Sequence, residues 1–468
     1  MPMTPAAADA TTFVATTSCA VELDRPLRDR QLVHSRSGDA YDCALVLVRL
    51  HEEPLGVVRI VVRDGWLRAL DVADAILSSL RSELAAHVSR NYCWKVPDRA
   101  QALVDGGQIV AARCGDCQRG GADRLPPVTV IVPTAGRPDD LRRCLARLAV
   151  LDYPQLEIVV VDNRPDIEAT GQVVKHAASL DRRVRYIAEH RPGSSVARNR
   201  GVAETSTDII AFTDDDVEVD ELWLRWMIEP FLRDERVHVV TGLVLPASYD
   251  TPEQQQFEEY AGFGKGFRRR VYDMDEHRPR KQMLYPYWGA PFGSGNSMAF
   301  RRDALLAIGG FDPALGAGSP ALAGGDIEAF TQILLHRGRL VYEPRAVVWH
   351  DHRRDEASLT RQLFNYAAGS TAILTKWLMR DPRTTLAVGR AIGSAAASAG
   401  RGKRGRMRHA PRELSRLNRQ LALSSTQAGL GRQLRGFASG PLLYLKSRRW
   451  ARRQDLASVL TEPRTDST

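Results

Sequence analysis

The chain has 468 residues, 44% of them apolar and 26% charged, with a formal net charge of +9. That length exceeds what one hydrophobic core serves, so two or three globular units are expected, and six cysteines spread over it exclude a disulfide-stapled scaffold. The basic balance suits phosphate-bearing ligands, an anionic membrane surface or nucleic acid, but no zinc-finger, RNA-recognition or helix-turn-helix signature is present, and nucleic acid is not an expected partner.

The first residues, Met1 to Ala20, have neither a basic nor a continuous apolar stretch of the kind that directs export, and no apolar run reaches the roughly 18 residues of a spanning helix. The protein is therefore expected to stay in the cytoplasm. Residues 1–120 open with a Thr/Ala-rich tail, followed by strand-like runs at Ala44–Leu50 and Val57–Val62 and a helical pattern over Asp71–His87. This reads as a small α+β domain without legible chemistry. Cys114 and Cys117 form the one close pair, a weak zinc or redox signal without a second pair; Cys19, Cys43, Cys93 and Cys144 read as small buried apolar side chains. A Gly-rich stretch and Leu125-Pro126-Pro127 make residues 121–127 a linker.

From Val128 the pattern alternates. Strand Val128–Val132 precedes a helix carrying Leu141, Leu145 and Leu148, and strands Ile158–Val161, Val184–Ile187 and Ile209–Phe212 follow. Near-continuous apolar strands separated by helices mark an α/β unit with a mostly parallel sheet covered on both faces. Ligands bind outside the carboxyl ends of such strands, which makes the residues directly after each strand the candidates. These are Pro133, Thr134 and Arg137 after the first, Asp162 after the second, and Asp214, Asp215 and Asp216 after the fourth. Three carboxylates stacked at one strand end repel one another, and hard oxygen donors of this kind suit Mg²⁺ or Mn²⁺ held against a phosphate. Asp162 is an acceptor for a nucleobase N–H or a ribose hydroxyl. A Gly193-Ser194 turn feeds a helix with Arg198 and Arg200, where backbone N–H groups and a guanidinium would meet a pyrophosphate.

Residues 247–292 interrupt the rhythm with a run of aromatics, Trp288 among them, and Gly293-Ser294-Gly295-Asn296 then suggests a tight backbone approach to a ligand. Asp326 precedes a helical run and is both a natural helix cap and a carboxylate fit for base catalysis. Beyond Arg353 the chain, residues 354–468, is helical and basic, with a cluster from Arg401 to Arg408 and Leu442-Leu443-Tyr444-Leu445 followed by Arg448, Arg449, Arg452 and Arg453. Mixed apolar and basic patches fit either a peripheral membrane contact or a helical pair packed on the preceding unit.

Several ordered motifs carry a resemblance. They are Val130-Ile131-Val132-Pro133-Thr134, Val160-Val161-Asp162-Asn163, Pro192-Gly193 through Ala197-Arg198-Asn199-Arg200-Gly201, Phe212-Thr213-Asp214-Asp215-Asp216, Gly310-Phe311-Asp312, Gly324-Gly325-Asp326-Ile327-Glu328 and Tyr342 to His350. The block from Val128 to about His352 resembles the inverting glycosyltransferases of family 2, which share the GT-A fold, in an actinobacterial-type arrangement with N- and C-terminal extensions. The resemblance implies a GT-A catalytic domain over residues 128–353, with 247–292 as an acceptor-side insertion. It implies Asp216, with Asp214 and His350, on a divalent Mn²⁺ or Mg²⁺; Asp214 or Asp215 near the donor ribose; Asp162, Pro133 and Thr134 around the base; and Asp326 as catalytic base. Trp288, Asn296 and Glu328 are the acceptor-side candidates. In one departure the family's usual Glu-Asp is here Gly325-Asp326, so help with acceptor positioning would fall to Glu328.

The chemistry agrees with that assignment. Displacing a nucleoside diphosphate from an anomeric carbon builds charge on the leaving phosphate, which a divalent ion and arginines stabilise, while a carboxylate opposite takes the acceptor's proton. The expectation is inverting transfer from a nucleoside diphosphate sugar, a UDP-sugar first, to a hydroxyl of a cell-envelope glycan, a lipid-linked sugar or a secondary metabolite, at the inner face of the cell membrane if the acceptor is lipid-linked. The alternatives are a sugar-nucleotide-binding scaffold without turnover and a nucleotidyltransferase. Pro133 to Asp140 holds one Gly and no Lys, which counts against the latter.

Overall fold

A computed structural model describes residues 13–34, 38–90, 96, 98–105, 125–279, 282, 284–288, 290–390 and 427–461. Cys93, the Cys114/Cys117 pair, most of the linker and the basic cluster Arg401–Arg408 lie outside the described residues.

The N-terminal part contains strands β1 (Thr16–Glu22), β2 (Arg30–Gln31), β3 (Cys43–Leu50), β4 (Glu53–Val61) and β5 (Trp66–Leu67), then helices α1 (Ala69–Ser79), α2 (Arg81–Arg90) and α3 (Ala100–Val104). Every residue of β3 is buried, as a central strand with both faces covered requires. The single helix expected over Asp71–His87 is two helices. Leu80 leaves the helical region (φ −122°, ψ 14°) and buries its side chain against Gly56 of β4, so tertiary packing breaks the run.

The large sheet begins with β6 (Val128–Thr134), α4 (Pro138–Ala149), β7 (Leu156–Asp162), α5 (Glu168–Leu180), β8 (Val184–Ala188), α6 (Ser194–Ala203) and β9 (Ile209–Thr213). It continues through β10 (Val217–Val219), α7 (Trp223–Arg233), β11 (Val237–Pro246), β12 (Ser248–Tyr249), α8 (Pro252–Ala261), β13 (Arg270–Tyr272), β14 (Ser297–Arg301), α9 (Arg302–Ala307), α10 (Gly325–Leu335) and β15 (Arg339–His350). Strand order is β10-β15-β11-β14-β9-β6-β7-β8, with β13 paired to β15. The half β9-β6-β7-β8 is parallel, and β14 enters antiparallel between β9 and β11.

Alternation along the strands builds two cores. Val128, Val130, Val132, Ile158 and Val160 face α4, α5 and α7, whereas Ile131, Val159 and Val161 face α6 and α10. Gly201 of α6 sits so close to Ile131 that a side chain there would collide with it, which lets the helix lie down on the sheet.

The two sheets are stitched together. β12, from the segment read as an acceptor-side insertion, pairs antiparallel with β1 and closes the N-terminal sheet in the order β12-β1-β3-β4. Ser18 N–H donates to Ala247 C=O (3.0 Å), and Ala247 N–H donates to His350 C=O (2.9 Å), which carries the hydrogen bonding from β1 to the end of β15. Arg49 of β3 donates to Asp220, just beyond β10, at 2.9 Å, with both side chains over 90% buried.

Helices α11 (Glu356–Arg380) and α12 (Gln427–Arg453) form a parallel pair packed over α6 and the loop before α10. Gly436 meets Phe364 and Ala367, and Gly440 meets Ala368 and Thr371, with no room for a side chain at either position. Arg448 reaches Met379 about two turns further along. For the described part of residues 354–468 the helical pair is therefore what forms. Among the described residues no helix is long and apolar enough to cross a membrane.

Removing one partner of a buried ion pair strands the other charge, at a cost of about 3–5 kcal/mol. Arg49→Met should therefore lower stability by that order in guanidinium denaturation followed by tryptophan fluorescence. Adding Asp220→Asn should recover a large part of the loss; a double variant as unstable as Arg49→Met alone would show that the pair does not carry the docking.

Candidate functional site

Thr134 and Asp162 lie side by side at the carboxyl ends of β6 and β7, and Asp214, Asp215 and Asp216 follow β9 immediately. The parallel register brings all five to one edge of the sheet. Asp215 is fully buried; Thr134 Oγ1 donates to its Oδ2 at 2.7 Å, and Arg137 Nη2 lies 2.5 Å from its Oδ1. The other arm of Arg137 donates to Asp216 Oδ2 at 2.5 Å. Arg198 of α6 donates to Asp214 Oδ1 at 2.8 Å. Arg353, beyond β15, reaches Asp216 Oδ2 at 3.4 Å, and His350 Nε2 stands 3.5 Å from Asp216 Oδ1.

Burial works against charge throughout this cluster. It pushes the Asp215 carboxyl up to about 7, helped by Asp216 and Asp214 and opposed by Arg137 and Thr134. Burial raises Asp214 as well, against Arg198. Asp216 goes the other way: burial is overcome by His350, Arg137 and Arg353, which hold it well below the usual carboxylate range. Burial depresses His350 to about 3, so its imidazole is neutral. The ring is enclosed by Phe263, 5.2 Å away between centroids, and by His352 at 4.8 Å.

Asp162 is buried and doubly engaged, accepting from Arg164 N–H at 2.9 Å and from Tyr186 Oη at 3.0 Å. Burial raises its carboxyl too. Asn163 donates to the carbonyls of Glu189 and Arg191 and accepts from Gly193 N–H at 2.7 Å, which locks the start of α6 against β7. Pro133 is buried at the end of β6, and an open groove of about 590 Å³ runs from Gly136 and Arg137 along the first turn of α4 to Arg143.

Asp326 opens α10 and is half-buried. Gly295 N–H donates to its Oδ2 at 2.8 Å, an approach that a side chain at position 295 would block. Gly325 packs on Ser195 Oγ, which takes the space that a side chain at position 325 would need. Asn296 is buried with Oδ1 lacking a partner, while its carbonyl accepts from Thr213. Trp288 is half-buried with an unpartnered Nε1.

Glu328 does not face the opening. It is fully buried and paired with Lys376 of α11 at 2.5 Å, with Gln332 beside it. Successive helical residues are about 100° apart, so Glu328 points some 200° around α10 from Asp326 and into the packing against α11. The reading of Glu328 as an acceptor-side contact is corrected accordingly.

Residues not singled out from the sequence also enter the site. Tyr366 of α11 is raised first by burial and then by the charges of Asp326 and Asp216, and Gln362 donates to its hydroxyl. His352 bonds both His350 and Glu258. Arg143 of α4 links Asp140 to Asp351. The alternation His350-x-His352 was the available signal for one of these; Tyr366 and Glu258 are brought in by packing alone. A separate triad, Asp273, Glu276 and His277, is spaced for a cation, but Arg339 already reaches Asp273 at 3.0 Å and Glu276 at 3.3 Å.

Comparison with known proteins comes from three directions. Residues 129–309 match the family described as Glycosyl transferase family 2. The chain is 26% identical over 228 residues to the Pre-mycofactocin glycosyltransferase of Mycobacterium tuberculosis, covering 48% of this chain and 43% of that one. It is 30% identical over 97 residues to the GalNAc(5)-diNAcBac-PP-undecaprenol beta-1,3-glucosyltransferase of Campylobacter jejuni, covering 20% and 31%. The chain thus spans less than half the length of these relatives. A solved mannosyltransferase from Pyrobaculum calidifontis, in complex with GDP-Man and Mn²⁺, aligns with 71% of this chain and 89% of its own at 20% identity and a TM-score of 0.41.

The raised carboxyl of Asp215 has a pH signature. An unfolded aspartate titrates near ~3.9, so between there and about 7 the folded state binds the extra proton. Stability from this group is therefore full at low pH and lost as pH rises through that window. Thermal unfolding of metal-free Asp215→Asn should show a flatter decline between pH 4 and 7 than the wild type, and parallel curves would refute the assignment.

Proposed function

Since the segment 129–309 belongs to family 2 of the glycosyl transferases, we propose that the protein transfers a sugar from a nucleoside diphosphate sugar to a hydroxyl acceptor by a single inverting displacement. The observation that carries this reading is the position of Asp326. It stands on α10, hydrogen-bonded to Gly295, and Gly295 lies just before β14, whose Ser297 pairs with Thr213 at the strand end that carries the three aspartates. A carboxylate tethered beside the strand end that carries an acid cluster fits a base on one side of the reacting carbon and a held leaving group on the other.

A divalent cation, Mn²⁺ or Mg²⁺, fits Asp216 and His350, with Asp214 adjacent. Two ligands at right angles around an ion bound at ~2.1 Å lie about 3 Å apart, and Asp216 Oδ1 and His350 Nε2 are 3.5 Å apart with a neutral imidazole between carboxylate and aromatic wall. Such an ion would neutralise charge developing on the leaving diphosphate. Arg137, Arg198 and Arg353 would share that task by turning from the aspartates toward phosphate oxygens. Asp162, Pro133 and Thr134 would line the base, with uridine the first nucleoside to try, and Asp214, the most exposed of the three acids where Asp215 is enclosed, would sit toward the ribose. On the other side the acceptor oxygen attacks the anomeric carbon, its proton passes to Asp326, and the bond to the diphosphate oxygen breaks with its electron pair leaving on the diphosphate. Trp288 and Asn296, each with an unpartnered polar atom, are the acceptor-side candidates.

A lipid-linked acceptor is supported by the exposed side of the C-terminal pair. α12 carries no acid. Its outer face presents Leu434, Leu442 and Leu445 beside Arg435, Lys446 and Arg449, and Leu378 and Met379 of α11 continue the apolar patch. Leucines among cations match an anionic bilayer surface, which would hold the enzyme at the inner face of the membrane.

Asp326→Asn should abolish transfer in a panel of nucleotide sugars while leaving the Mn²⁺-dependent thermal shift with the matching nucleoside diphosphate intact; Asp216→Ala should lose that shift. Turnover retained in Asp326→Asn removes it as base, and wild-type protein unshifted by every nucleotide favours a non-catalytic scaffold. For the membrane contact, the full chain should co-sediment with vesicles containing phosphatidylglycerol and not with pure phosphatidylcholine, and Leu442→Ser with Leu445→Ser should reduce the bound fraction several-fold. Equal sedimentation with both lipids would sink it.

A further inference from the structure

Behind the proposed cation site runs a chain of hydrogen bonds that the transfer reaction does not itself use. His350 Nδ1 and His352 Nδ1 are 2.9 Å apart, and His352 Nε2 is 3.0 Å from Glu258 Oε2 on α8. His350 Nε2 closes the chain toward Asp216 Oδ1 at 3.5 Å. The two histidines are over 90% buried, and Phe257 and Phe263 cover them, with Phe257 4.5 Å from His352 between ring centroids.

Two facing Nδ1 atoms can share only one proton. A carboxylate accepts and never donates, so Glu258 draws the N–H of His352 onto Nε2 and leaves the Nδ1 of a neutral His352 as an acceptor. His350 must then carry its own proton on Nδ1. Its Nε2 is left with a lone pair, and that atom is the one turned toward Asp216. Each neutral arrangement leaves one lone pair facing a carboxylate: in this one His350 Nε2 faces Asp216 at 3.5 Å, a contact that a cation between them would relieve, whereas the opposite one sets His352 Nε2 against Glu258 at the closer 3.0 Å.

We infer that Glu258 and His352 are positioning residues that hold His350 in the Nδ1–H tautomer, so that Nε2 is offered to a divalent cation shared with Asp216. This rests on the proposed cation site, and its physical logic is general: a ligating histidine whose far nitrogen is fixed by a further acceptor is oriented and made more basic, and losing that support costs about 10–100-fold in metal affinity. The aromatic cover keeps water from competing for the internal bonds.

The test needs no turnover. In the metal-free full-length protein labelled with ¹⁵N-histidine, the two-bond ¹⁵N–¹H pattern should report Nδ1–H for His350 and Nε2–H for His352. In His352→Phe and in Glu258→Ala, whose residue lies near the surface and should tolerate truncation, His350 should shift toward Nε2–H. Mn²⁺ affinity, read by electron paramagnetic resonance with UDP present, should fall by about 10–100-fold in both variants. An Nε2–H pattern for His350 in the wild type overturns the inference, as do variants that leave both tautomer and affinity unchanged. If Asp216→Ala leaves Mn²⁺ affinity unchanged while the tautomers are as expected, the cation reading fails and the hydrogen-bond chain stands on its own, so the two failures are told apart.

Discussion

The structure depends on how three adjacent carboxylates are tolerated at the end of one buried strand. Asp215 is wholly enclosed and Asp216 nearly so, and in that environment like charges a few ångströms apart are costly unless opposite charge is brought to them. The compensating charge comes from separate elements: Arg137 from the β6–α4 turn, Arg198 from α6, and Arg353 from beyond β15, with the neutral His350 beside Asp216. Each of those elements must be held in place for the strand end to be stable. The same arrangement leaves a cluster of cations and carboxylates ready to exchange partners when an anionic ligand and a cation arrive.

The flanking parts of the chain serve that requirement. The N-terminal sheet is tied to the large one at points around the carboxylates: through Ala247 to His350, through Arg49 to Asp220 after β10, and through Asp250. Asp250 takes Tyr41 and His34 from the N-terminal side and Arg354 from the loop that carries Arg353. On the other side α11 and α12 close over α10, with Lys376 bridging Asp312 and Glu328. The N-terminal unit without readable chemistry therefore has a physical role, since it fixes the edge strand and the loop that face the acid cluster.

Much of this was legible. The apolar strands from Val128 to Phe212 are long, β-rich and separated by helical patterns, and a parallel sheet places the residues after them at one edge, so Thr134, Asp162 and Asp214–Asp216 could be gathered before any coordinates. Glu328 was misread because it was counted along the chain instead of around the helix. Tyr366, Glu258 and His352 carried little or no signal, since their approach depends on α8 and α11 folding back over a strand end more than ninety residues away from one of them. The break at Leu80 and the use of β12 to close the N-terminal sheet were equally invisible, because each is a choice made by packing against a distant partner.

The sequence by itself determined the class of fold, the order of the motifs and the chemical character of the acid cluster, because hydrophobic period and strand-end composition are local properties. Only the tertiary structure decided which cation meets which carboxylate, that Asp326 lies against Gly295 while Glu328 turns inward, and that a glutamate and a second histidine stand behind His350. Those outcomes depend on distances between segments far apart in the chain, and such distances are set by how whole helices and sheets pack, not by any residue's own preference.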